Sequence, residues 1–332
     1  MLLLEEYRGE LLENTHYGRI CVVDENSKVV YDTGQADTMT YFRSCAKPLQ
    51  LLPLFDHGLD KKYGLTQDEL TVCASSHLGE DIHINALESI MKKTGLKEDY
   101  LIVKPDIPWH NEARIDFNKK GLPKRKLYHN CSGKHFALML LERELNGSHK
   151  DYWKPDSIAQ QQVLKVIGDV AEFEVSKIIW GIDGCGVPVF AVPLKNIALS
   201  FMKLGSLKRS DRYEGGLEKL RESIALNPYM IRGRGAMCSE INSLGNFVGK
   251  IGAEGVYAFG LKKERLGVAI KLEDGTLEAF PIIISELLRQ LKIKDDAVYS
   301  LLDKLKSPIK FNHNNDQIGI YKPVFKPLTA KN

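Results

Sequence analysis

Hydrophobic and polar positions along this chain of 332 residues change period twice. Residues 18–34, GRICVVDENSKVVYDTG, set two β-branched runs around the turn DENS, which predicts a hairpin. Near the other end, NFVGKIGAEGVYAFGL (246–261) and GVAIKLEDGTLEAF (267–280) repeat the strand pattern, the second with an Asp-Gly turn. Between them the period becomes helical: AKPLQLLPLFDHG, INALESIMKKTG, GKHFALMLLEREL, PDSIAQQQVLKVIGDVA and AVPLKNIALSFMKLG. Strands from about 15–40 and 245–285 are therefore expected to share one antiparallel sheet, with a mostly helical insert at about 45–240. The N-terminal hairpin needs the C-terminal strands, so residues 1–332 read as one intertwined domain. The predicted class is α+β, not a doubly wound parallel sheet.

Composition narrows the function. With 43% hydrophobic and 27% charged residues the chain has the balance of a soluble globular protein. A net charge of +3 is too small to argue for nucleic acid. The one dense basic run, KKGLPKRK (119–126), carries Gly and Pro without aromatics and reads as a solvated loop. The start, MLLLEEYRGE, lacks the basic opening and apolar stretch of a signal peptide, and no apolar run approaches a membrane span. Six dispersed cysteines then read as reduced thiols, and a cytoplasmic location is expected.

The chemistry concentrates in five segments. In RSCAKPLQ (43–50), Ser44 and Lys47 share a face if a helix starts here, and Pro48 restricts that start to the first turn. A helix N-terminus would favour an alkoxide or oxyanion, and a desolvated lysine can serve as general base. Taken alone, Ser44 and Lys47 read as a cap and a solvated side chain, since Ser-x-x-Lys is a common pattern. SSHLGEDIH (75–83) adds Ser76 and His77, and HNCSGKH (129–135) spaces Cys131, Lys134 and His135 to face one way. GIDGCGVP (181–188) sets glycines around Asp183 and Cys185, and KIGAEGV (250–256) sets Lys250 beside glycines on an expected strand. Packing alone does not explain five such segments in one chain.

Together these segments, in this order, resemble the signatures of the Rhizobium etli-type, or class 3, L-asparaginases over about residues 18–280. The resemblance implies a fold like that of serine β-lactamases, penicillin-binding proteins and glutaminases. It implies hydrolysis of L-asparagine to L-aspartate and ammonia through an acyl-enzyme. The family's two Ser–Lys pairs fall on Ser44 with Lys47 and on Ser76 with Lys250. Its zinc set falls on Cys131, Lys134 and Cys185, with Asp183 linking metal-bound water to substrate. From spacing alone His135 would be the conventional ligand, because lysine must be neutral to bind zinc. With serines supplying the nucleophile, zinc would orient substrate. Arg43 is the candidate for the substrate carboxylate, or else a buried salt-bridging arginine. The segment MIRGRGAMCSEIN (230–242) departs from the family pattern, which leaves Arg232, Arg234 and Cys238 without assigned roles. A homodimer acting on a small molecule, away from membranes and nucleic acid, is the expected assembly.

Two other readings stand beside this one. A β-lactamase-like serine acylase shares the Ser-x-x-Lys pattern, but the chain lacks Ser-Asp-Asn. A zinc- or amino-acid-binding protein without activity would keep the fold and lose ammonia release.

Overall fold

The computed structural model describes residues 1–206 and 212–326. Its strands are β1 (Leu2–Arg8), β2 (Leu11–Val23), β3 (Val29–Asp32), β4 (Met39–Tyr41), β5 (Ile179–Ile182) and β6 (Pro188–Pro193). They continue with β7 (Phe247–Gly252), β8 (Val256–Leu261), β9 (Leu266–Leu272), β10 (Ile309–Phe311) and β11 (Gln317–Pro323). The main sheet runs β10-β11-β1-β2-β9-β8-β7, with β3 paired to β2. The predicted joining of the two chain ends is present: β2 and β9 pair antiparallel, with Ile20 opposite Ile270. Helices supply most of the insert between them, including Asp81–Thr94, Ser132–Glu144 and Ile158–Ala171.

Three features depart from the sequence expectation. β1, β10 and β11 extend the sheet beyond the expected strands, pairing the first residues with the last, Leu4 opposite Pro323. The stretch 273–280 was expected to continue as a strand. Instead the chain turns at Gly275 and enters the helix Phe280–Gln290, with Pro281 in the first turn and an apolar face of Ile283, Ile284, Leu287 and Leu288. Finally, AVP (191–193), expected at the front of a helix, is the end of β6, which forms a second sheet in the order β4-β6-β5. All six of its residues are buried, and a fully buried apolar run carries no period that separates strand from helix.

The helix Leu194–Ser206 lies on β8 and β9 with backbone against backbone. A Cβ on Gly267 would come within 2.0 Å of the Ala198 carbonyl oxygen, and one on Gly260 within 2.2 Å of that of Phe201. All six cysteines are free and buried. Among the described residues no helix is long and apolar enough to cross a membrane.

Because the Gly267 contact is with main chain, it cannot be relieved by a rotamer change. Gly267→Ala is expected to destabilise the fold by about 1–3 kcal/mol through overpacking, read as a lower urea midpoint. An unchanged midpoint would contradict the close approach.

Candidate active site

Residues Arg43–Ala46 make one 3₁₀ turn, and the α-helix that follows is only Lys47–Gln50, with Pro48 in its first turn. Pro53 starts a separate short helix, Leu52–Asp56. The long helix expected to aim its dipole at Ser44 is thus broken into pieces, because each proline lacks a donor for a continuous ladder. What sets the turn is contact with β7. The Cys45 thiol donates to the Lys250 carbonyl oxygen at 2.9 Å. A Cβ on Gly252 would come within 3.0 Å of the Phe42 carbonyl oxygen and 3.1 Å of Arg43 Cβ, so glycine allows the strand to pass the turn. Arg43 has φ of 49°, a left-handed conformation costly for a side chain of this size. Such strain is commonly found at functional positions.

Ser76 follows the helix Gln67–Cys73 on an extended segment. Its N–H donates to the Ile231 carbonyl oxygen at 3.1 Å, and Leu78 N–H donates to that of Arg232 at 2.7 Å. Two lysines converge on the Ser76 hydroxyl. Lys47 Nζ donates to Ser76 Oγ at 2.9 Å and to the carbonyl oxygens of Ser75 at 2.7 Å and Asn130 at 3.4 Å. Lys250 Nζ donates to Ser76 Oγ at 2.9 Å and to the Ile251 carbonyl oxygen at 2.8 Å. Lys47, Ser76 and Lys250 are each no more than 2% exposed. Among the described residues no carboxylate lies within ion-pair distance of either amine. Burial lowers the pKa of Lys47, and it pushes that of Lys250 down to about 7, with Lys47 and Arg232 adding repulsion.

The hydrogen bonds distinguish the two amines. Lys47 has three acceptors, which suits the three donors of an ammonium. Lys250 has two, which leaves a position for the lone pair of a neutral amine. The sequence expectation paired Ser76 with Lys250, and they meet. It also paired Ser44 with Lys47. Here Lys47 reaches Ser76, and its three acceptors do not include Ser44. Sequence reasoning missed the sharing of one hydroxyl, the Asn130 carbonyl, and the Arg232 guanidinium that donates to the Ser76 carbonyl oxygen at 3.3 Å. None of these has a local sequence signal.

A second buried cluster adjoins Lys47. Lys134 Nζ donates to Cys185 Sγ at 3.0 Å, and the Cys131 thiol beside them donates to Asn130 Oδ1 at 3.1 Å. The neighbouring Cys131, with Lys134 and His135, pulls the Cys185 thiol below its usual range against the effect of burial. Burial opposes charge on Lys134, but the Cys185 thiolate beside it raises it above its ordinary value. Together they form a buried thiolate–ammonium pair. Two thiols and an amine also make a donor set chemically suited to zinc once their protons leave. Among the described residues no three His, Cys, Asp or Glu side chains make a metal group, so the set depends on Lys134. The Tyr152 hydroxyl accepts Ile102 N–H and is hydrogen-bonded to His135 Nδ1 at 2.8 Å.

Asp183 and Arg43 form an ion pair, with Nη2 to Oδ1 at 2.9 Å. Asp183 is carried on the turn between β5 and β6, closed by Gly186 N–H donating to its carbonyl oxygen at 2.8 Å. The same turn holds Cys185, so β5 and β6 place the Asp183 carboxylate and the Cys185 sulfur two residues apart. His77 is fully buried and bonded to Ser132 Oγ at 2.8 Å. Burial holds its pKa well below the usual value, so it stays neutral. Arg234 pairs with Glu80, Nη1 to Oε2 at 3.4 Å.

The sequence matches the family model described as L-asparaginase II over residues 4–323. A search of curated proteins returned no match. Among solved structures, the chain is similar to native Mglu, with 10% identity, a TM-score of 0.44, and coverage of 83% of this chain and 64% of that one. It spans 59% of Mglu in its tris and glutamate form, so it accounts for about three fifths of those neighbours' lengths. A Bacillus glutaminase shares 11% identity, with a TM-score of 0.38 and coverage of 83% and 91%. EstCE1, a hydrolase with promiscuous acyltransferase activity, shares 10% identity, with a TM-score of 0.39 and coverage of 85% and 93%.

The buried Lys250 amine has a signature in stability. An unfolded lysine titrates near 10.4, so between about 7 and 10.4 the unfolded chain holds a proton that the folded chain has released. The contribution of Lys250 to stability therefore rises with pH across that window, by about 1.4 kcal/mol per unit, and its penalty is full below it. Chemical denaturation of wild type and Lys250→Met is expected to show a difference that shifts in favour of wild type from pH 7 to 9. A difference independent of pH over that range would contradict a neutralisable buried amine.

Proposed function

The chain belongs to the L-asparaginase II family, and from that premise we propose that it hydrolyses L-asparagine to L-aspartate and ammonia through a serine acyl-enzyme. The observation that carries this reading is the Ser76 hydroxyl held between two buried lysines beside the turn of Ser44. Ser44 Oγ attacks the side-chain amide carbon, and its proton passes to Lys47. For that, Lys47 must first be neutral. Its proton can cross Ser76 Oγ to Lys250, whose depressed pKa keeps one of the two amines unprotonated near neutral pH. The amide nitrogen of the tetrahedral intermediate then takes a proton from the Ser76–Lys250 pair and leaves as ammonia. Water hydrolyses the ester, releasing aspartate and restoring Ser44.

Arg43 and Asp183 complement a free amino acid: the guanidinium suits the α-carboxylate and the carboxylate the α-ammonium. Without substrate each satisfies the other. Cys131, Lys134 and Cys185 would hold zinc. When bound, zinc would supply an electrophilic anchor that orients substrate. A homodimer is part of the proposal, supported by the unpaired outer edge of β5, where Ile179, Trp180 and Ile182 are about half exposed. A cytoplasmic location is supported by the six free thiols.

Ammonia release from a panel of asparagine, glutamine and small aspartyl amides tests the reading. Asparagine is expected to be the preferred substrate, and Ser44→Ala to lower kcat by roughly a thousandfold or more with the fold intact. Near-normal turnover in that variant would remove Ser44 as nucleophile. The rate should rise from pH 6 toward the alkaline side, with an inflection near the Lys250 value of about 7. A flat profile from pH 6 to 10 would count against a lysine base.

Metal analysis separates the role of zinc. About one zinc per chain is expected, with affinity falling at low pH as the donors gain protons. Cys131→Ser should raise KM more than it lowers kcat if the metal orients substrate. No bound metal, with full activity after chelation, would leave the cluster as a thiolate–ammonium pair.

A further inference from the structure

β7 is the outer strand of the main sheet, paired with β8 on one side only. Its outward N–H and C=O groups have no neighbouring strand, and a buried strand edge left so is costly. Here these groups are met by side chains. Asn242 Nδ2 donates to the Gly249 carbonyl oxygen at 2.9 Å, and Gly249 N–H donates to Asn242 Oδ1 at 2.7 Å. Ile251 N–H donates to Cys238 Sγ at 3.1 Å. The Ile251 carbonyl oxygen accepts from Lys250 Nζ itself at 2.8 Å.

Both clamping side chains come from one short helix, Met237–Asn242, and their spacing of four puts them on the same face. Both are buried, and they grip the residues immediately before and after Lys250. The helix thereby stands in for the missing strand at the residue whose amine must meet Ser76. That amine is repelled by its surroundings. Lys47 faces it from the Lys47–Gln50 helix and Arg232 from the loop after Ile231, while the thiols of Cys238 and Cys45 are the opposing groups. A lysine in such a place needs a fixed backbone to stay on one hydroxyl.

We propose that Asn242 and Cys238 are positioning residues that hold the Lys250 amine on Ser76 Oγ. The inference rests on the reading that Lys250 takes part in proton transfer. It explains a cysteine for which the sequence suggested no role, and an asparagine that no motif marks. It also means that the 249–251 stretch of the edge offers no free backbone group to a peptide strand, in keeping with a small free amide as substrate.

The test compares Asn242→Ala, Asn242→Asp, Cys238→Ala and Cys238→Ser in the full chain with Lys250→Met. Asparagine hydrolysis is normalised to the folded fraction from circular dichroism. Asn242→Ala is expected to lower kcat about 10- to 100-fold, as misplacement of a catalytic group does, with a much smaller change in KM and a shifted acid limb. Asn242→Asp, which cannot donate to Gly249, should lose part of the rate. Cys238→Ala should lose more than Cys238→Ser, whose oxygen can still accept the Ile251 N–H. Unchanged kcat per folded molecule and an unmoved acid limb in Asn242→Ala would overturn the proposal. If Asn242→Ala does not fold, equal wild-type rates in Cys238→Ala and Cys238→Ser would overturn it. Full activity in Lys250→Met would instead remove Lys250 from the reaction, and the clamp's catalytic role with it.

Discussion

Two lysine amines and one serine hydroxyl, all out of water and without a carboxylate, set the terms for the rest of this site. Two ammonium groups meeting on one oxygen would repel strongly in a medium that screens poorly, so the arrangement favours one neutral amine. The fold is what enforces this. Lys47 comes from the first helical turn, Ser76 from the segment after Cys73, and Lys250 from a strand near the far end of the chain. Only because β2 pairs with β9, β9 with β8, and β8 with β7, does Lys250 arrive beside the Ser44 turn.

The remaining charges are arranged around the same constraint. Lys47 lies between Ser76 and the cysteine cluster, and the Cys131 and Cys185 sulfurs partly offset the burial of its charge. His77, His129 and His135 surround this region, and burial lowers the pKa of each, so they add no further cation near neutral pH. Arg43 is the cation nearest to Ser44 in sequence, and it is balanced by Asp183. The site thus separates one serine hydroxyl shared by two lysines, one buried Cys185–Lys134 pair and one Arg43–Asp183 ion pair.

Legibility from sequence followed locality. The hairpin at 18–34 and the strands at 246–261 could be read because β-branched runs and turn residues lie side by side in the chain. β6 could not, since PVFAVP is buried on both faces and runs directly into a helix. Pro48 correctly marked a first turn, but with Pro53 it also left that helix too short for the dipole expected of it. The residue types of the site were legible as Ser, Lys, Cys and Asp among glycines, and their grouping came from family resemblance. That both lysines meet on Ser76 depends on residues 47, 76 and 250 converging in space. The same holds for Asn242 and Cys238, whose only signal is the unpaired edge of β7.

Direct titration of the lysine side-chain amines tests the account most closely. Heteronuclear NMR of 15N-lysine-labelled protein, with the Lys250 signal assigned by its loss in Lys250→Met, reports each protonation state in turn. The account predicts that the Lys250 amine titrates near 7 and is mostly neutral by pH 8.5, while Ser76 remains bonded to both lysines. If both Lys47 and Lys250 stayed protonated to about pH 10, the ordinary lysine range, the shared-hydroxyl account would be wrong.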